Sequence, residues 1–251
     1  MGKKKIILGF DIGGTGIKAA LVDVNAGKLL TEKTKLLTPQ PSDPLSVVEV
    51  VKQLIKIFRY KGPIGCGFPA IIHHGVAKSA ANIDDSWMNV DIEKFFYKET
   101  GLAFYVANDA DVAGLAEVKF GKSRLKGMVI VLTIGTGIGS GMFVDGKLIP
   151  NTELGHLNYK ESVYEHYVSN NARKNNNLSW EEWAPGFADY LRHLEKLFSP
   201  DLFVIGGGAS SKFDRFGKLL EVDTPVIPAQ FENNAGILGA AIYATDRMKS
   251  N

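Results

Sequence analysis

Runs of apolar and β-prone residues along the chain predict its strands. Residues 4–37 contain three such runs, and Asn25-Ala26-Gly27 between the last two is typical of a tight turn. The runs 64–68 and 104–107 are apolar throughout rather than alternating, as in strands that are buried on both faces of a parallel sheet. The pattern therefore predicts a sheet that begins with antiparallel strands and continues with parallel ones.

Apolar residues spaced three and four positions apart predict the helices. Pro44 stands in the first turn of one helix, which either Ser42 or Asp43 caps. A second helix begins at Asn108 or Asp109, directly after a predicted strand. Strands and helices therefore follow one another along the chain, which is typical of an α/β protein.

The second half of the chain mixes strand and helix patterns in the same way. The polar, asparagine-rich residues 158–182 predict exposed helix and loop. An amphipathic helix runs from Phe187 to Phe198 and ends at Ser199-Pro200. The strand "DLFVIGGG" then enters a glycine turn, and "AGILGAAIYATDRM" is a closing helix whose small residues allow close backbone packing.

One arrangement of elements occurs twice. "GFDIGGTGIKAALVD" (residues 9–23) and "VLTIGTGIGSGMFVDG" (residues 131–146) each place a glycine-threonine loop between two apolar runs, and Asp145-Gly146 repeats the hairpin turn. Glycine lets backbone N–H groups close around an oxyanion, and threonine adds a hydroxyl donor. A strand follows each loop, which excludes a Rossmann loop, and neither loop contains the Gly-Lys-Ser/Thr of a Walker loop. Two loops in matching contexts favour phosphate binding over plain hairpin turns.

Composition places the chain among ordinary globular proteins. It has 251 residues, of which 45% are hydrophobic, enough for one large core or two smaller lobes. The formal net charge of +2 is too small to indicate a nucleic-acid partner. The single cysteine, Cys66, excludes an intramolecular disulfide and a cysteine-built zinc site, and its apolar neighbours predict burial.

The N-terminal lysines do not predict a secretion signal, because the apolar run that follows them is short and breaks at Asp11. No stretch of the chain approaches the ~20 apolar residues that a membrane helix needs. We therefore expect a cytoplasmic protein that has no membrane partner.

Several motifs together resemble the sugar kinases of the repressor/ORF/kinase family, within the sugar kinase/Hsp70/actin superfamily. The matching stretches are "GFDIGGTGIKAALVD", "TIGTGIGSGMFVDGKLIPNTELGH", "GFPA", "AANIDDSW", "NDADVAGLAE", "LFSPDLFVIGGG" and "NNAGILGAA". They span nearly the whole chain and are specific as a set. "PNTELGHL" with "LFSPDLFVIGGG" is similar in particular to the polyphosphate glucokinases, the polyphosphate-using branch of that family.

The resemblance implies an α/β fold of the actin-like ATPase (ribonuclease H-like) kind, with two lobes and a cleft. Residues 1–108 form the small lobe in this interpretation, and the C-terminal helix 235–251 completes it. Residues 109–234 form the large lobe. The resemblance also implies that the protein is a homodimer.

The implied activity is that of a glucokinase, which transfers a phosphoryl group from polyphosphate to the 6-hydroxyl of glucose, with ATP left open as a second donor. Such a transfer needs a base near the hydroxyl, a clamp for the leaving phosphate and usually Mg²⁺. The resemblance assigns the base to Asp109, which stands where a helix cap is common, although Asn108 can cap instead. The residues implied for the sugar are Asn82, Asn108, Asp109, Glu153, His156 and Glu165.

The two loops supply the residues implied for the phosphates. Asp11 ends the first strand and could hold Mg²⁺ directly or through water, whereas Lys18 faces either phosphate or solvent. The phosphate-binding set is Asp11, Gly13, Gly14, Thr15, Gly16, Lys18, Thr133, Gly135, Thr136, Gly137, Gly207 and Gly208. The candidate cations for a long polyphosphate chain are Lys122, Arg124, Lys126, Arg173 and Lys174.

The chain departs from the wider family in its expected metal. Most members follow "GH" with a cysteine-rich zinc motif, whereas this chain has "LNYKESVYEHYVSNNARK" at that place. Three thiolates are missing, so a zinc site of that type cannot form. The polyphosphate branch shares this absence, and the resemblance therefore implies Mg²⁺ and no zinc.

Three other functions are alternatives to a polyphosphate glucokinase. Within the enzyme class, the alternative is an ATP-only kinase for another hexose or an amino sugar. A sugar-responsive repressor would carry an N-terminal helix-turn-helix domain, but the phosphate strand begins by Ile6. A non-catalytic sugar-binding module is the third alternative, and Asp109 together with both loops argues against it.

Overall fold

The computed structural model describes residues 5–121 and 127–250 of the chain. The chain divides into two compact units. The first unit comprises Met1–Ala116 with Asn234–Asn251, and the second comprises Glu117–Asn233. The first unit is therefore built from two separate segments of the chain, and the second from one.

Strands and helices alternate through both units. The strands are β1 (Ile6–Gly13), β2 (Gly16–Asp23), β3 (Lys28–Leu29), β4 (Thr34–Leu36), β5 (Ile64–Phe68), β6 (Ile72–His73), β7 (Val76–Ala77), β8 (Phe104–Asn108), β9 (Met128–Ile134), β10 (Ile138–Val144), β11 (Lys147–Ile149), β12 (Asn158–Tyr159), β13 (Ser162–Val163), β14 (Leu202–Gly206) and β15 (Val226–Pro228). The helices are α1 (Pro44–Phe58), α2 (Ile92–Thr100), α3 (Asp109–Phe120), α4 (Glu165–Val168), α5 (Asn170–Asn175), α6 (Trp180–Phe198), α7 (Phe213–Phe216) and α8 (Ala235–Ser250).

The first unit is organised around a sheet in the order β3-β2-β1-β5-β8, with β4 also paired to β2. Strands β1 and β2 are antiparallel, whereas β1, β5 and β8 are parallel to one another. The predicted antiparallel start and the buried parallel strands are therefore confirmed. The third predicted run forms two short strands rather than one, because residues 30–33 between β3 and β4 leave the sheet.

The second unit repeats this sheet. Its strand order is β11-β10-β9-β14-β15, in which β9 and β10 are antiparallel and β9, β14 and β15 are parallel. Asp145 and Gly146 connect β10 to β11 as predicted, and both have the positive φ that such a hairpin turn requires, 49° and 75°. Each sheet thus carries a glycine-threonine turn between its two long antiparallel strands.

Helix α1 begins at the residue that the sequence predicts. Asp43 is its cap, because Asp43 Oδ1 accepts hydrogen bonds from the N–H groups of Leu45 at 3.0 Å and Ser46 at 3.1 Å. Pro44 occupies the first turn, where its missing N–H has no intrahelical partner to lose. The alternative cap, Ser42, is thereby excluded.

Helix α8 packs closely against the sheet of the first unit. A side chain on Gly9 of β1 would overlap the carbonyl group of Ile237, and one on Gly65 of β5 would overlap that of Ala240. Glycine is therefore needed at both strand positions for the helix backbone to approach. On the helix itself, a side chain on Gly239 would overlap the Val112 carbonyl, which confirms the prediction that small residues of the closing helix serve close packing.

Each unit has its own hydrophobic core. In the first, the ring of Trp87 packs against Phe68 with 4.7 Å between the centroids, and its Nε1 donates a hydrogen bond to the Ser42 carbonyl. Trp87 is thus a packing anchor, and Cys66 is buried, as predicted. The core of the second unit includes Trp183, Phe187, Tyr190, Phe203 and Phe216.

Residues 158–182 differ from the prediction of exposed helix and loop. They contain the hairpin of β12 and β13, and Val168, Ala172 and Trp180 are buried. Few residues of this segment are apolar, and buried ones are among them. The polar composition of the segment therefore did not indicate that part of it is buried. Helix α6 also begins at Trp180, earlier than the predicted Phe187, because a Ser179 capping box starts it there.

Among residues 5–121 and 127–250, no helix combines the length and the apolar character that crossing a bilayer requires. The longest described helix, α6, has 19 residues and carries charged side chains along its exposed face.

Candidate active site

The first glycine-threonine loop is a tight turn at the end of β1. Gly13 pairs with Gly16 across the hairpin, so Gly14 and Thr15 form the turn itself. Thr38 Oγ1 donates a hydrogen bond of 2.5 Å to the Gly13 carbonyl and so supports the turn from outside. Thr15 is exposed at the tip, where its hydroxyl and backbone N–H can meet an anion.

The segment that carries Asn82 lies directly against this turn. A Cβ on Gly14 would stand 2.9 Å from the Asn82 carbonyl oxygen, closer than real Cβ atoms come to such an atom. The Asn82 side chain itself is exposed. The structure therefore brings one predicted sugar-binding residue next to the first glycine-threonine turn.

Asp11 and Lys18 form an ion pair just behind the first turn. They are cross-strand partners on β1 and β2, and Lys18 Nζ lies 2.8 Å from Asp11 Oδ2. Both side chains remain partly exposed, 27% for Lys18 and 18% for Asp11. The pair is therefore close enough to solvent for a ligand to reach it.

Parallel pairing of β1, β5 and β8 brings Asp11 and Asp109 to the same end of the sheet, where the carboxyl ends of these strands lie. Asp11 pairs with Gly67 on β5, which in turn pairs with Ala107 on β8. Neighbouring strands lie about 4.8 Å apart, so about 10 Å separates the backbone of Asp11 from that of β8 near its end. Asp109 follows directly, and its Cα lies 3.5 Å from a Cβ built on Gly67.

Asn108, rather than Asp109, caps helix α3. Its Oδ1 accepts hydrogen bonds from the N–H groups of Ala110 at 2.9 Å and Asp111 at 3.2 Å, and its Nδ2 donates to the Ala70 carbonyl at 3.2 Å. Asn108 is buried, and its amide carries a second N–H that can donate a further hydrogen bond. Asp109 Oδ1 also accepts a hydrogen bond of 2.8 Å from the Ala110 N–H, so the half-buried carboxylate shares this donor with Asn108, which binds the Asp111 N–H as well.

The second glycine-threonine loop joins β9 to β10 through Gly135, Thr136 and Gly137. The Gly135 N–H donates a hydrogen bond of 3.0 Å to the Gly137 carbonyl, which closes the loop on itself. The Gly135 carbonyl accepts a bond of 3.1 Å from the Asn171 N–H. Thr136 is exposed at the tip, as Thr15 is in the first turn.

The carboxyl end of β14 lies beside the second loop. Gly206 pairs with Thr133, and Gly207 has a φ of 71°, which favours glycine. A side chain on Gly207 would also come within 2.7 Å of the Ile134 backbone nitrogen and oxygen. The glycines at the end of β14 therefore lie against the second glycine-threonine loop. Both segments are predicted to bind the phosphates of the donor.

Glu153, His156 and Glu165 form one polar cluster in the second unit. His156 Nε2 lies 3.2 Å from Glu165 Oε1, and His156 Nδ1 lies 3.5 Å from Glu153 Oε2. Glu165 Oε2 also accepts a hydrogen bond of 3.0 Å from the N–H of Ile138, the residue after the second loop. A Cβ on Gly137 would overlap this same oxygen. Three predicted sugar-binding residues are thus together, and one of them contacts the loop.

The Glu153 carboxyl has a perturbed pKa. Burial raises its pKa above the ordinary value, His156 lowers it by a smaller amount, and Glu165 raises it further. The carboxyl therefore keeps its proton to a higher pH than an exposed glutamate does. In that protonated form it can donate as well as accept a hydrogen bond.

Glu117 is a buried carboxylate, and nothing in the sequence pattern predicts its burial. It is 2% exposed, and it accepts hydrogen bonds from the N–H groups of Gln230 at 2.9 Å and Phe231 at 2.7 Å. Burial raises the pKa of this carboxyl, and the two N–H groups lower it. Glu117 thus fixes the segment that precedes α8, whereas a glutamate on such a helix usually faces solvent.

Asp11 is the residue that fits a metal ion best. Within residues 5–121 and 127–250, no group of three or more His, Cys, Asp or Glu side chains could hold a metal ion. Mg²⁺, however, is usually bound by one or two carboxylates together with substrate phosphates. The partly exposed carboxylate of Asp11, beside a turn that is predicted to bind phosphate, fits that donor set.

The cations predicted for a long polyphosphate chain have different surroundings. Outside the described residues lie Lys122, Arg124 and Lys126. Arg173 is engaged within its own unit, since its Nη1 donates to the Leu178 carbonyl at 2.7 Å and its guanidinium lies 4.1 Å from the ring centroid of Trp180. Lys174 is exposed.

Comparison with known sequences gives the family. A sequence profile described as the ROK family matches residues 7–175. The chain is 42% identical to the polyphosphate glucokinase of Mycobacterium tuberculosis (strain CDC 1551 / Oshkosh), over 93% of this chain and 89% of the relative. The chain therefore belongs to the ROK family, and the resemblance drawn from the sequence motifs is confirmed.

Solved structures give the fold. The inorganic polyphosphate/ATP-glucomannokinase of Arthrobacter sp. strain KM has a TM-score of 0.91 and 45% identity, covering 96% of this chain and 99% of that one. A ROK family glucokinase from Streptomyces griseus, in complex with glucose and AMPPNP, has a TM-score of 0.83 at 24% identity, covering 96% and 100%, which shows the fold alone. The predicted actin-like ATPase fold is confirmed.

Proposed function

We propose that this chain is a glucokinase that transfers a phosphoryl group from polyphosphate to the 6-hydroxyl of glucose. The observation that carries the proposal is the 42% identity to a polyphosphate glucokinase over 93% of the chain. The local geometry supports it, because each unit presents a glycine-threonine turn and Asp109 stands at the same end of the sheet as Asp11.

In the proposed reaction, Asp109 accepts the proton of the glucose 6-hydroxyl. The hydroxyl oxygen forms a bond to the terminal phosphorus of the donor, while the bridging P–O bond to the rest of the chain breaks. The leaving chain keeps the electron pair of that bond and is one phosphate shorter. The proton stays on Asp109 until solvent takes it, and Asn108 supports this base by capping the helix on which it stands.

The proposed sugar contacts follow from the hydrogen-bonding capacity of the polar cluster. Glu153 and Glu165 both approach His156, so donors and acceptors lie within 3.5 Å of one another. Such a group can hydrogen-bond neighbouring hydroxyls on one ring. We assign glucose hydroxyls to these three residues, with Asn82 and Asn108 as further contacts.

The proposed phosphate contacts are the two turns and the end of β14. The exposed threonines at the two tips and the exposed glycines after β14 suit phosphate oxygens. The assigned residues are Asp11, Gly13, Gly14, Thr15, Gly16, Lys18, Thr133, Gly135, Thr136, Gly137, Gly207 and Gly208.

We propose that Mg²⁺ is the metal and that Asp11 holds it, directly or through water. When bound, Mg²⁺ neutralises charge on the donor phosphates. Activity is expected to stop with EDTA, to return with added Mg²⁺, and to survive a zinc-selective chelator, because the chain lacks the cysteines of a zinc motif. Loss of activity with the zinc-selective chelator and recovery only with zinc would contradict the proposal.

Donor use is the part of the proposal that a rate comparison tests. The Arthrobacter relative is named for both polyphosphate and ATP, and we propose ATP as a second donor here. The experiment measures kcat/KM on glucose with each donor, and on mannose because the relative is named a glucomannokinase. We expect activity with polyphosphate. Activity with ATP alone would favour the ATP-only alternative.

The cellular setting and the assembly stay predictions. We expect a cytoplasmic homodimer that has no nucleic-acid partner. Light scattering coupled to gel filtration measures the mass in solution, and a monomer mass would contradict the dimer.

A further inference from the structure

A row of charged residues crosses three strands of the first unit beside the phosphate turn. Asp11 on β1 is the cross-strand partner of Lys18 on β2, and Lys18 is the partner of Lys35 on β4. Directly opposed side chains share a face of the sheet at about 5 Å between Cβ atoms. Lys33 lies just before the start of β4, and it is exposed, as Lys35 is. One carboxylate and two lysines therefore stand side by side across the sheet, and Lys33 precedes the third of these strands.

The side chain of Lys35 extends towards the turn. A Cβ on Gly16 would overlap Lys35 Cε and would lie 3.3 Å from its Nζ. The lysine stem therefore occupies the space that a side chain at position 16 would fill. The absence of that side chain lets the ammonium group reach the residue that closes the glycine-threonine turn.

The three lysines differ in what balances their charge. Lys18 is paired with Asp11 at 2.8 Å, whereas Lys33 donates a hydrogen bond of 3.0 Å to a neutral group, Asn234 Oδ1. Within residues 5–121 and 127–250, no carboxylate forms an ion pair with Lys33 or Lys35. Like charges directly opposite one another are destabilising, as Lys18 and Lys35 are here, and an anion bound between them would relieve the repulsion.

We propose that Lys33 and Lys35, with Lys18, form a subsite for a linear phosphoanhydride chain. The subsite would bind the part of the donor that extends past the phosphoryl group being transferred. Position supports this assignment, because Lys35 Nζ adjoins Gly16 of the phosphate turn. Arg173, by contrast, is engaged by Leu178 and Trp180. The inference rests on the proposed function, and it names where that donor binds.

The test compares a long polyphosphate with ATP in the Lys33→Ala/Lys35→Ala double variant. A long chain reaches both lysines, whereas a triphosphate ends sooner. KM for polyphosphate is therefore expected to rise roughly 5- to 10-fold, the combined loss expected for two exposed charge pairs, with kcat nearly unchanged and ATP kinetics little affected. The difference should shrink in high salt, because the Debye length falls to ~3 Å at 1 M.

Two further variants distinguish an effect of the positive charges at Lys33 and Lys35 from an effect of the protein's overall charge. Lys61→Ala/Lys98→Ala removes two exposed lysines elsewhere in the same unit and should leave the polyphosphate KM unchanged. Lys33→Arg/Lys35→Arg keeps the charge and should restore most of the affinity. The melting temperature of each variant reports whether it folds.

The possible outcomes distinguish the subsite from the proposed function. If wild type uses polyphosphate and the Lys33→Ala/Lys35→Ala variant keeps the wild-type KM for it, the subsite is wrong and the function stands. Equal losses with polyphosphate and ATP, or an equal loss in the Lys61→Ala/Lys98→Ala control, would also overturn the subsite. If wild type does not use polyphosphate at all, the proposed donor is wrong, and the subsite proposed for that donor is wrong with it.

Discussion

Replacing Asp109 with Asn is expected to lower kcat by about 10²–10⁴-fold, the usual contribution of a general base, while glucose still binds. The amide has the shape of the carboxylate and can hydrogen-bond the sugar, but it cannot accept the proton of the 6-hydroxyl. Helix α3 should be unaffected, because Asn108 provides its cap. The measurement is kcat beside glucose affinity, the latter by calorimetry without donor.

The matched control for this change is Asp43→Asn. Asp43 also stands at the start of a helix, where its carboxylate accepts hydrogen bonds from Leu45 and Ser46. Asparagine caps helices about as well as aspartate, so this variant should keep both kcat and stability. A kcat for Asp109→Asn within a few-fold of wild type would show that Asp109 is not the base.

Gly137→Ala is expected to lower kcat/KM for the donor by about 10²-fold, the size of loss that a misplacement near 1 Å can cause. The new Cβ would overlap Glu165 Oε2, which holds the N–H of Ile138 at the end of the second loop. Either the loop or the carboxylate must shift. Because Glu165 also contacts His156, we expect the KM for glucose to rise as well.

The contact between these two residues makes their substitutions non-additive. Glu165→Ala alone should weaken glucose binding, but it also removes the oxygen that Gly137→Ala would meet. Adding Gly137→Ala to Glu165→Ala should therefore cost less than adding it to wild type. Gly135→Ala is the steric control, because a Cβ built there has nothing within 4 Å, and its loss should be smaller. Equal losses at both glycines would contradict the steric explanation.

Local patterns in the sequence were sufficient for the sheet and for the position of both turns. Turn residues such as Asp145-Gly146 and fully apolar runs such as 64–68 each indicate one local structure. The arrangement that occurs twice in the sequence recurs in the structure, where the two sheets have corresponding strand orders. Asp109 was a candidate because the family resemblance assigns the base to it, and Asn108 provides the helix cap that was the other role considered for Asp109.

Contacts between residues distant in the chain could not be read from the sequence. Glu165 accepts a hydrogen bond from Ile138, which lies 27 residues earlier in the chain, and neither helix nor strand periodicity relates residues so far apart. Lys35 reaches Gly16 only because β4 pairs with β2. Nothing in the sequence indicated that the stem of Lys35 lies beside Gly16. Packing of the polar segment 158–182 was missed for the same reason, since a few buried side chains decide it.

The central claim is that this chain moves a phosphoryl group from polyphosphate to the 6-hydroxyl of glucose. The most direct measurement is a ³¹P and ¹³C nuclear magnetic resonance time course with nucleotide-free protein, Mg²⁺, long-chain polyphosphate and ¹³C-labelled glucose. We expect glucose 6-phosphate to appear as polyphosphate chains shorten, at equal molar rates, and not to appear with Asp109→Asn. Glucose that stays unmodified with polyphosphate but is phosphorylated when ATP is added, or a phosphate on another hydroxyl, would contradict the claim.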